Sequence, residues 1–497
     1  MKRASGVLMP IFSLPSSYGI GDFGKEAYEF VDFLKASGQK FWQILPLVQT
    51  GYGNSPYSSV SSTSFNPYFI SVELLKKQKL LTEQELQTCL NQGARVDYGF
   101  VHESRFALLR KAFARFDKTN KKFIDYVNSK QSLDYALFMT MRYAFNQTPF
   151  YTWKDEYKYR DKTALQEFEQ ANQEEVLFWQ FVQFEGQRQW FNLKKYSNKK
   201  GVNIIGDLPL YVALDSVDVW VNPVLYKLNE DFTPKKVAGV PPDYFCEDGQ
   251  LWGNPVYDYN NHIKDGFLWW QNRIANALKI YDYVRIDHFR GLDRYYEISP
   301  DAQNAKVGEW IDVPEELFDS IHSAVDKTRI IAEDLGMIDD GVRELLQKVG
   351  YPGMKVLSFA FDGDPNNVYL PQNIEQNSIC YTGTHDNDTL VGLISNASQG
   401  EKANIKNIVN NIINKMGLNI TFTDDISLVK CIIEIGFNTK SKIFILPMQD
   451  VLLQGSDFRI NRPGVVSGEN WNIRFNQNDF SKKTAKMLKA YCKSSKR

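Results

Sequence analysis

Histidine and cysteine are both scarce in this 497-residue chain, which holds five of each. The histidines (His102, His262, His288, His322 and His385) include no His-x-His pair and no H-E-x-x-H. The spacings that build hydrolytic zinc sites are therefore missing. An oxygen-ligand Mg²⁺ site also gains little support, and no metal is expected. The cysteines (Cys89, Cys246, Cys380, Cys431 and Cys492) are dispersed, odd in number and free of C-x-x-C pairs, against a disulfide framework. No G-x-S-x-G marks a nucleophile elbow. No apolar run is long enough to span a membrane. The formal net charge is only -1, which offers no electrostatic attraction to nucleic acid or acidic membranes. The opening "MKRASGVLMPIF" has the cations and apolar run of a secretion signal. That run is short, broken by Pro10 and without a small-residue cleavage site. The expected compartment is the cytoplasm.

What the chain does have is a series of short apolar runs rich in β-branched and aromatic residues. They are "GVLMPIF" (6–12), "FWQILPL" (41–47), "VNIIGDLPLYV" (202–212), "YVRIDHF" (283–289), "RIIAEDL" (329–335), "MKVLSFAF" (354–361), "SICYTGTHD" (378–386) and "KIFILPMQD" (442–450). Near-continuous apolarity fits strands buried on both faces. Helical periodicity lies between them, as at Ala27, Phe30, Val31 and Leu34 before Gly38, and in "EELFDSIHSAV" and "DGVRELLQKVG". Eight strands alternating with helices predict an α/β fold, a (β/α)8 TIM barrel forming one catalytic domain over 1–497. Two intervals exceed a simple crossover. Residues 72–200 read as a largely helical insertion after the second strand, and 213–262 as an aromatic-rich insertion after the third. The basic C-terminal "SKKTAKMLKAYCKSSKR" reads as a solvated helix.

"GIGDFG" (19–24) matches the dinucleotide fingerprint literally. No Asp or Glu occurs between Asp32 and Glu73 to hold a ribose, so these glycines are assigned to a tight strand-to-helix turn.

Barrel chemistry sits where strands end at the C-terminal face. The third run carries Asp207, the fourth ends in Asp287-His288, the fifth in Glu333-Asp334 and the seventh in His385-Asp386. Carboxylates are costly to bury unless used or paired. A pair with proton affinities set apart by their surroundings is what retaining glycoside chemistry requires. Arg285, two residues before Asp287, shares its strand face and is expected to lower its pKa, the property of a nucleophile. Glu333 follows the apolar "IIA" and suits the general acid/base. Asp386 suits a grip on sugar hydroxyls, and His288 and His385 suit hydrogen-bond donors to the sugar. Sugars stack their C–H faces on aromatic rings. Tyr244, Phe245, Trp252, Tyr257 and Tyr259 offer such rings, and Tyr52, Ser55 and Tyr57 are presented at the same face by the loop after the second strand.

At these residues the chain resembles the 4-α-glucanotransferases (amylomaltases or disproportionating enzymes), glycoside hydrolase family 77. The matching stretches are "GDLPLYVA", "PPDYFCEDGQLWGNP", "VRIDHFRG", "IAEDLG", "SFAFDGD", "THDNDT" and "LPMQDVL", in that order. The resemblance implies Asp287 as nucleophile, Glu333 as acid/base and Asp386 as transition-state stabiliser. It implies glucan contacts for Arg285, His385, Asp207, Trp252, Tyr244 and Phe245. Tyr52, Ser55 and Tyr57 would lie near acceptor or secondary subsites, and Phe359 would be a subsite wall. The implied partners are an α-1,4-glucan or maltooligosaccharide donor and a glucose or oligosaccharide acceptor, in a monomer or weak homo-oligomer without cofactor. One departure is "NWNIR" (470–474) where the family pattern has "NWSWR". A starch hydrolase uses the same carboxylates, and a non-catalytic glucan-binding protein would keep the aromatics, so both stay open on the site residues alone.

Overall fold

A strand forms in or beside each of the eight apolar runs: β1 (Ala4–Leu8), β2 (Phe41–Gln43), β3 (Asn203–Leu208), β4 (Tyr283–Ile286), β5 (Ile330–Ala332), β6 (Gly353–Val356), β7 (Ser378–Tyr381) and β8 (Ile443–Pro447). The structure is a computed structural model describing residues 2–242, 247–465 and 467–497, with backbone alone at Tyr52, Lys130 and Gln131. All neighbouring strands pair in parallel in the order β6–β7–β8–β1–β2–β3–β4–β5. Between the two ends of that row, the Ala332 N–H donates to the Pro352 carbonyl at 3.0 Å. The result is the expected (β/α)8 barrel. Its strands are almost wholly buried because helices cover the outside and side chains fill the inside. Trp42 on β2 is fully buried, and its indole N–H donates to the Met9 carbonyl at 2.8 Å.

Glycine at 206 is required by close packing. A Cβ there would lie 2.1 Å from Cγ of Tyr281, so a larger residue would push β3, and with it Asp207, out of line. The "GIGDFG" stretch is a packed turn. Gly24 caps the helix Lys25–Ala36, and a Cβ on Gly21 would sit 2.0 Å from the Ile11 carbonyl oxygen.

Between β2 and β3 the chain is helical, dominated by Tyr98–Arg115, Lys130–Ala144 and the 27-residue Gln173–Lys199. After β3 the structure holds an element absent from the sequence reading. Gln250–Pro255, Val237–Val240, Arg294–Ile298 and Gly308–Asp312 make a separate four-stranded antiparallel sheet, in that order. Two of its strands come from beyond β4. Its outer strands are largely exposed and lack an apolar run, which is why periodicity did not reveal them.

The C-terminal helix Lys482–Ser494 is not solvated all round. It buries Ala485, Leu488 and Cys492, with the Cys492 thiol 3.2 Å from the Ser5 hydroxyl of β1. In "NWNIR" the two departing residues are accommodated: Asn472 accepts from Arg95 at 2.8 Å, and Ile473 is buried. Among the described residues, no helix is long and apolar enough to cross a membrane.

Candidate active site

Strand register brings the polar residues together. β3 and β4 pair Asp207 with Arg285, and β4 and β5 pair Ile286 with Ala332. The residues one step beyond the β4 and β5 ends, Asp287 and Glu333, therefore emerge side by side at the C-terminal mouth. The ladder continues past the strands: Asp287 N–H donates to the Leu208 carbonyl, and Glu333 N–H to the Ile286 carbonyl, both at 3.0 Å.

His288 then turns left-handed, at φ 50°, a conformation costing roughly 1–3 kcal/mol for a non-glycine residue. The turn aims its backbone N–H at Glu333 Oε2, 2.7 Å away, and the next N–H, of Phe289, at the Glu333 carbonyl, 3.0 Å away. Leu335 N–H holds Oε1 at 2.9 Å. Both Glu333 oxygens are thus fixed by backbone. The neighbouring Asp334 is structural. It accepts from Met354 N–H at 2.5 Å and Lys355 Nζ at 3.3 Å, which ties β5 to β6.

Arg285 is buried and shared. Its Nη1 lies 2.7 and 2.8 Å from the two Asp207 oxygens and 2.9 Å from Asp287 Oδ1. Tyr57 completes the arrangement by donating its hydroxyl to Asp207. Asp207 is 2% exposed, and its oxygens are taken up by Arg285 and Tyr57. Asp207 is not among the residues lining the cleft, whereas Arg285, which it holds, is.

The electrostatics correct one expectation. Asp287 is pushed up, to about 6, rather than down. Burial is the largest cause, Asp207 and Asp386 add to it, and Arg285 opposes it without prevailing because its charge is already divided with Asp207. Glu333 is pushed higher, to about 8, by burial first and by Asp287. Arg285 restrains that rise although it is distant in sequence. At neutral pH the pair therefore holds one ionised and one protonated carboxyl. Burial takes His288 down to about 4, with Arg290 adding to the effect, so its imidazole is neutral there.

A cleft of about 570 Å³ opens at this mouth, lined by Arg285, Asp287, His288, Glu333, Asp386 and, on its walls, Trp252 and Phe359. Trp252 sits edge-on to His288, with ring centroids 4.8 Å apart. His385 is buried behind the cleft. It stacks on Tyr57 with centroids 5.2 Å apart, and its Nε2 lies 3.3 Å from Asp386 Oδ2. Ser55 does not line the cleft; its hydroxyl accepts from Tyr57 N–H at 3.2 Å and shapes the turn. Tyr257 and Tyr259 are core residues. Tyr244, Phe245 and the Tyr52 side chain lie outside the described residues.

Two residues missed in the sequence hold Asp386. Asn461 donates its amide to Asp386 Oδ1 at 2.6 Å, and Arg459 donates to the Asp386 carbonyl at 2.6 Å and the Asn461 carbonyl at 2.8 Å. Only the turn-forming Pro463-Gly464 beside them marked this segment in the sequence.

Asp207→Asn tests the shared arginine. With one negative neighbour fewer, Asp287 ionises more readily, so the acid limb of a kcat/KM profile moves to lower pH. Weakened anchoring of Arg285 costs kcat roughly tenfold, about 1.4 kcal/mol. An unmoved acid limb would show that Asp207 does not act on Asp287.

The model of the 4-alpha-glucanotransferase family matches residues 9–479. A 4-alpha-glucanotransferase of Clostridium butyricum is 41% identical over 488 residues, 97% of this chain and 98% of that protein. One from Thermus thermophilus is 38% identical over 507 residues, 100% and 99% of the two chains. The solved amylomaltase from Streptococcus agalactiae in complex with acarbose superposes with a TM-score of 0.93 at 39% identity, covering 100% of both chains. Together with the barrel and its cluster of carboxylates, this full-length agreement means that the chain belongs to glycoside hydrolase family 77, the 4-alpha-glucanotransferases.

Proposed function

We propose that the chain moves α-1,4-glucan segments between maltooligosaccharides by a retaining double displacement through a glucosyl ester on Asp287. The observation that carries this reading is the pairing of Asp287, at about 6, with Glu333, at about 8, at one cleft. In the first step Asp287 attacks the anomeric carbon while Glu333 gives its proton to the departing glycosidic oxygen. The bond to the reducing-end segment breaks and that segment leaves. In the second step the 4-hydroxyl of an acceptor attacks the same carbon, Glu333 takes its proton, and the Asp287 ester is released. Asp386, held by Asn461 and neighbouring His385, grips ring hydroxyls as the sugar flattens. Arg285 steadies the Asp287 anion, with Asp207 and Tyr57 behind it. Trp252 and Phe359 stack on neighbouring glucosyl units, and His288 supplies a neutral hydrogen-bonding group.

The pH dependence follows with its sign. Attack needs Asp287 ionised, so kcat/KM on maltotriose rises as pH passes upward through about 6. Departure needs Glu333 protonated, so the rate falls above about 8. A profile still rising at pH 9 would contradict the assignment.

Incubation with maltotriose, with products resolved by chain length, separates the readings. Transfer yields glucose together with longer oligosaccharides. Glucose and maltose alone would mean hydrolysis, and unchanged substrate would overturn the catalytic reading.

A further inference from the structure

Asp450 is a carboxylate that the proposed chemistry does not use. It stands just past β8, in the stretch "LPMQDVL", is 1% exposed and does not line the cleft. Burial pushes its carboxyl up, to about 6, and among the described residues no cation pairs with it. A buried acid without a cation costs stability, and departures of this kind concentrate where function needs them.

Its two oxygens close the loop that follows β7. Oδ2 accepts from the hydroxyl of Thr382, the first residue past the strand and itself fully buried, at 2.6 Å. Oδ1 accepts from the N–H of Leu390, the first residue of the helix Leu390–Asn396, at 2.8 Å. Between those two feet stand His385 and Asp386. The chain that follows Asp450 grips the same loop again. Ser456 donates its hydroxyl to Asp388 Oδ2 at 2.7 Å, and Asn461 N–H donates to the His385 carbonyl at 3.1 Å. With the bonds from Arg459 and Asn461 to Asp386, the segment after β8 holds the loop after β7 at both feet and across its middle. Asp386 reaches into the cleft with its side chain 41% exposed, so its position is set by the loop that carries it and by Asn461.

We infer that Asp450 is a positioning residue: by tying Thr382 to Leu390 it fixes the loop on which Asp386 meets the reacting sugar, without touching the sugar itself. The assignment rests on the proposed role of Asp386. A displacement of about 1 Å in a group that acts on the reacting ring costs on the order of a hundredfold in rate. The loss falls on kcat. Asp386 acts on the ring rather than on the leaving group, so the loss is the same on maltotriose and on α-maltosyl fluoride.

The test is a double-mutant cycle with Asp386→Asn, read as kcat and KM on both substrates. Asp450→Ala should lower kcat ten- to a hundredfold, with KM within threefold of the parent. Added to Asp386→Asn, it should cost less than threefold more. Thr382→Val removes one tie and keeps the side-chain shape. It should lose three- to tenfold with the same non-additivity, and it decides if Asp450→Ala does not fold. Circular dichroism and melting curves establish the folded fraction. Parental kcat in the folded variants, whatever their melting temperature, or full additivity with Asp386→Asn, overturns the positioning role alone. Parental turnover by Asp386→Asn itself would instead reject the catalytic reading of Asp386 and take the positioning role with it.

Discussion

Asp287→Asn lowers kcat on maltotriose by on the order of 10⁴–10⁶, the scale lost when a covalent nucleophile is removed. That is roughly 5.5–8 kcal/mol of barrier. The substitution is close to isosteric. An asparagine keeps an oxygen facing Arg285, which lies 2.9 Å from Asp287 Oδ1, so the cleft keeps its shape. What is lost is the anion that bonds to the anomeric carbon. Because Arg285 remains anchored on Asp207, substrate binding should change little and the loss should fall on kcat. Turnover within tenfold of the parent would remove Asp287 from the nucleophile's role.

Glu333→Ala produces the second large effect, a loss of roughly 10²–10⁴ on maltotriose. Alanine is the cleaner choice here. Both Glu333 oxygens accept backbone N–H groups, from His288 and Leu335. A glutamine would set its own amide hydrogens against one of them and confuse loss of proton transfer with local strain. The defect should depend on the leaving group. An α-maltosyl fluoride needs no protonation on departure, so its first step survives the substitution. Its second step lacks a base and slows, and added azide, which attacks without general-base help, should restore turnover and give an α-glycosyl azide. An equal loss on maltotriose and on the fluoride, without azide rescue, would mean that Glu333 is not the acid/base.

Both predictions concern residues that could be found in the sequence because barrels place strand ends together. The apolar runs are local, the alternation is regular, and Asp287, Glu333 and Asp386 stand one to five residues beyond the ends of β4, β5 and β7. What escaped reading is whatever depends on neighbours distant in the chain. Arg285 lies two residues from Asp287, which suggested a lowered pKa. Asp207, 78 residues earlier, takes part of that charge, and burial does the rest. Asn461 reaches Asp386 across 75 residues, and nothing in its local pattern distinguishes it from any turn asparagine. The four-stranded sheet is invisible for a different reason, since half-exposed strands carry no continuous apolar signal. The family pattern at "NWSWR" is replaced by Asn472 and Ile473. The local fold absorbs the change through Arg95 and a buried isoleucine.

The central claim is a glycosyl ester on Asp287, and it is tested most directly by trapping it. Glu333→Ala is mixed with α-maltosyl fluoride, quenched in acid, digested and mapped by mass spectrometry. The account predicts a maltosyl mass increment on the peptide that contains "VRIDHFRG", localised by fragmentation to Asp287. It should be absent from the Asp287→Asn/Glu333→Ala double variant and lost on adding azide before the quench. Fluoride release without any adduct, or an adduct on another carboxylate, would contradict it.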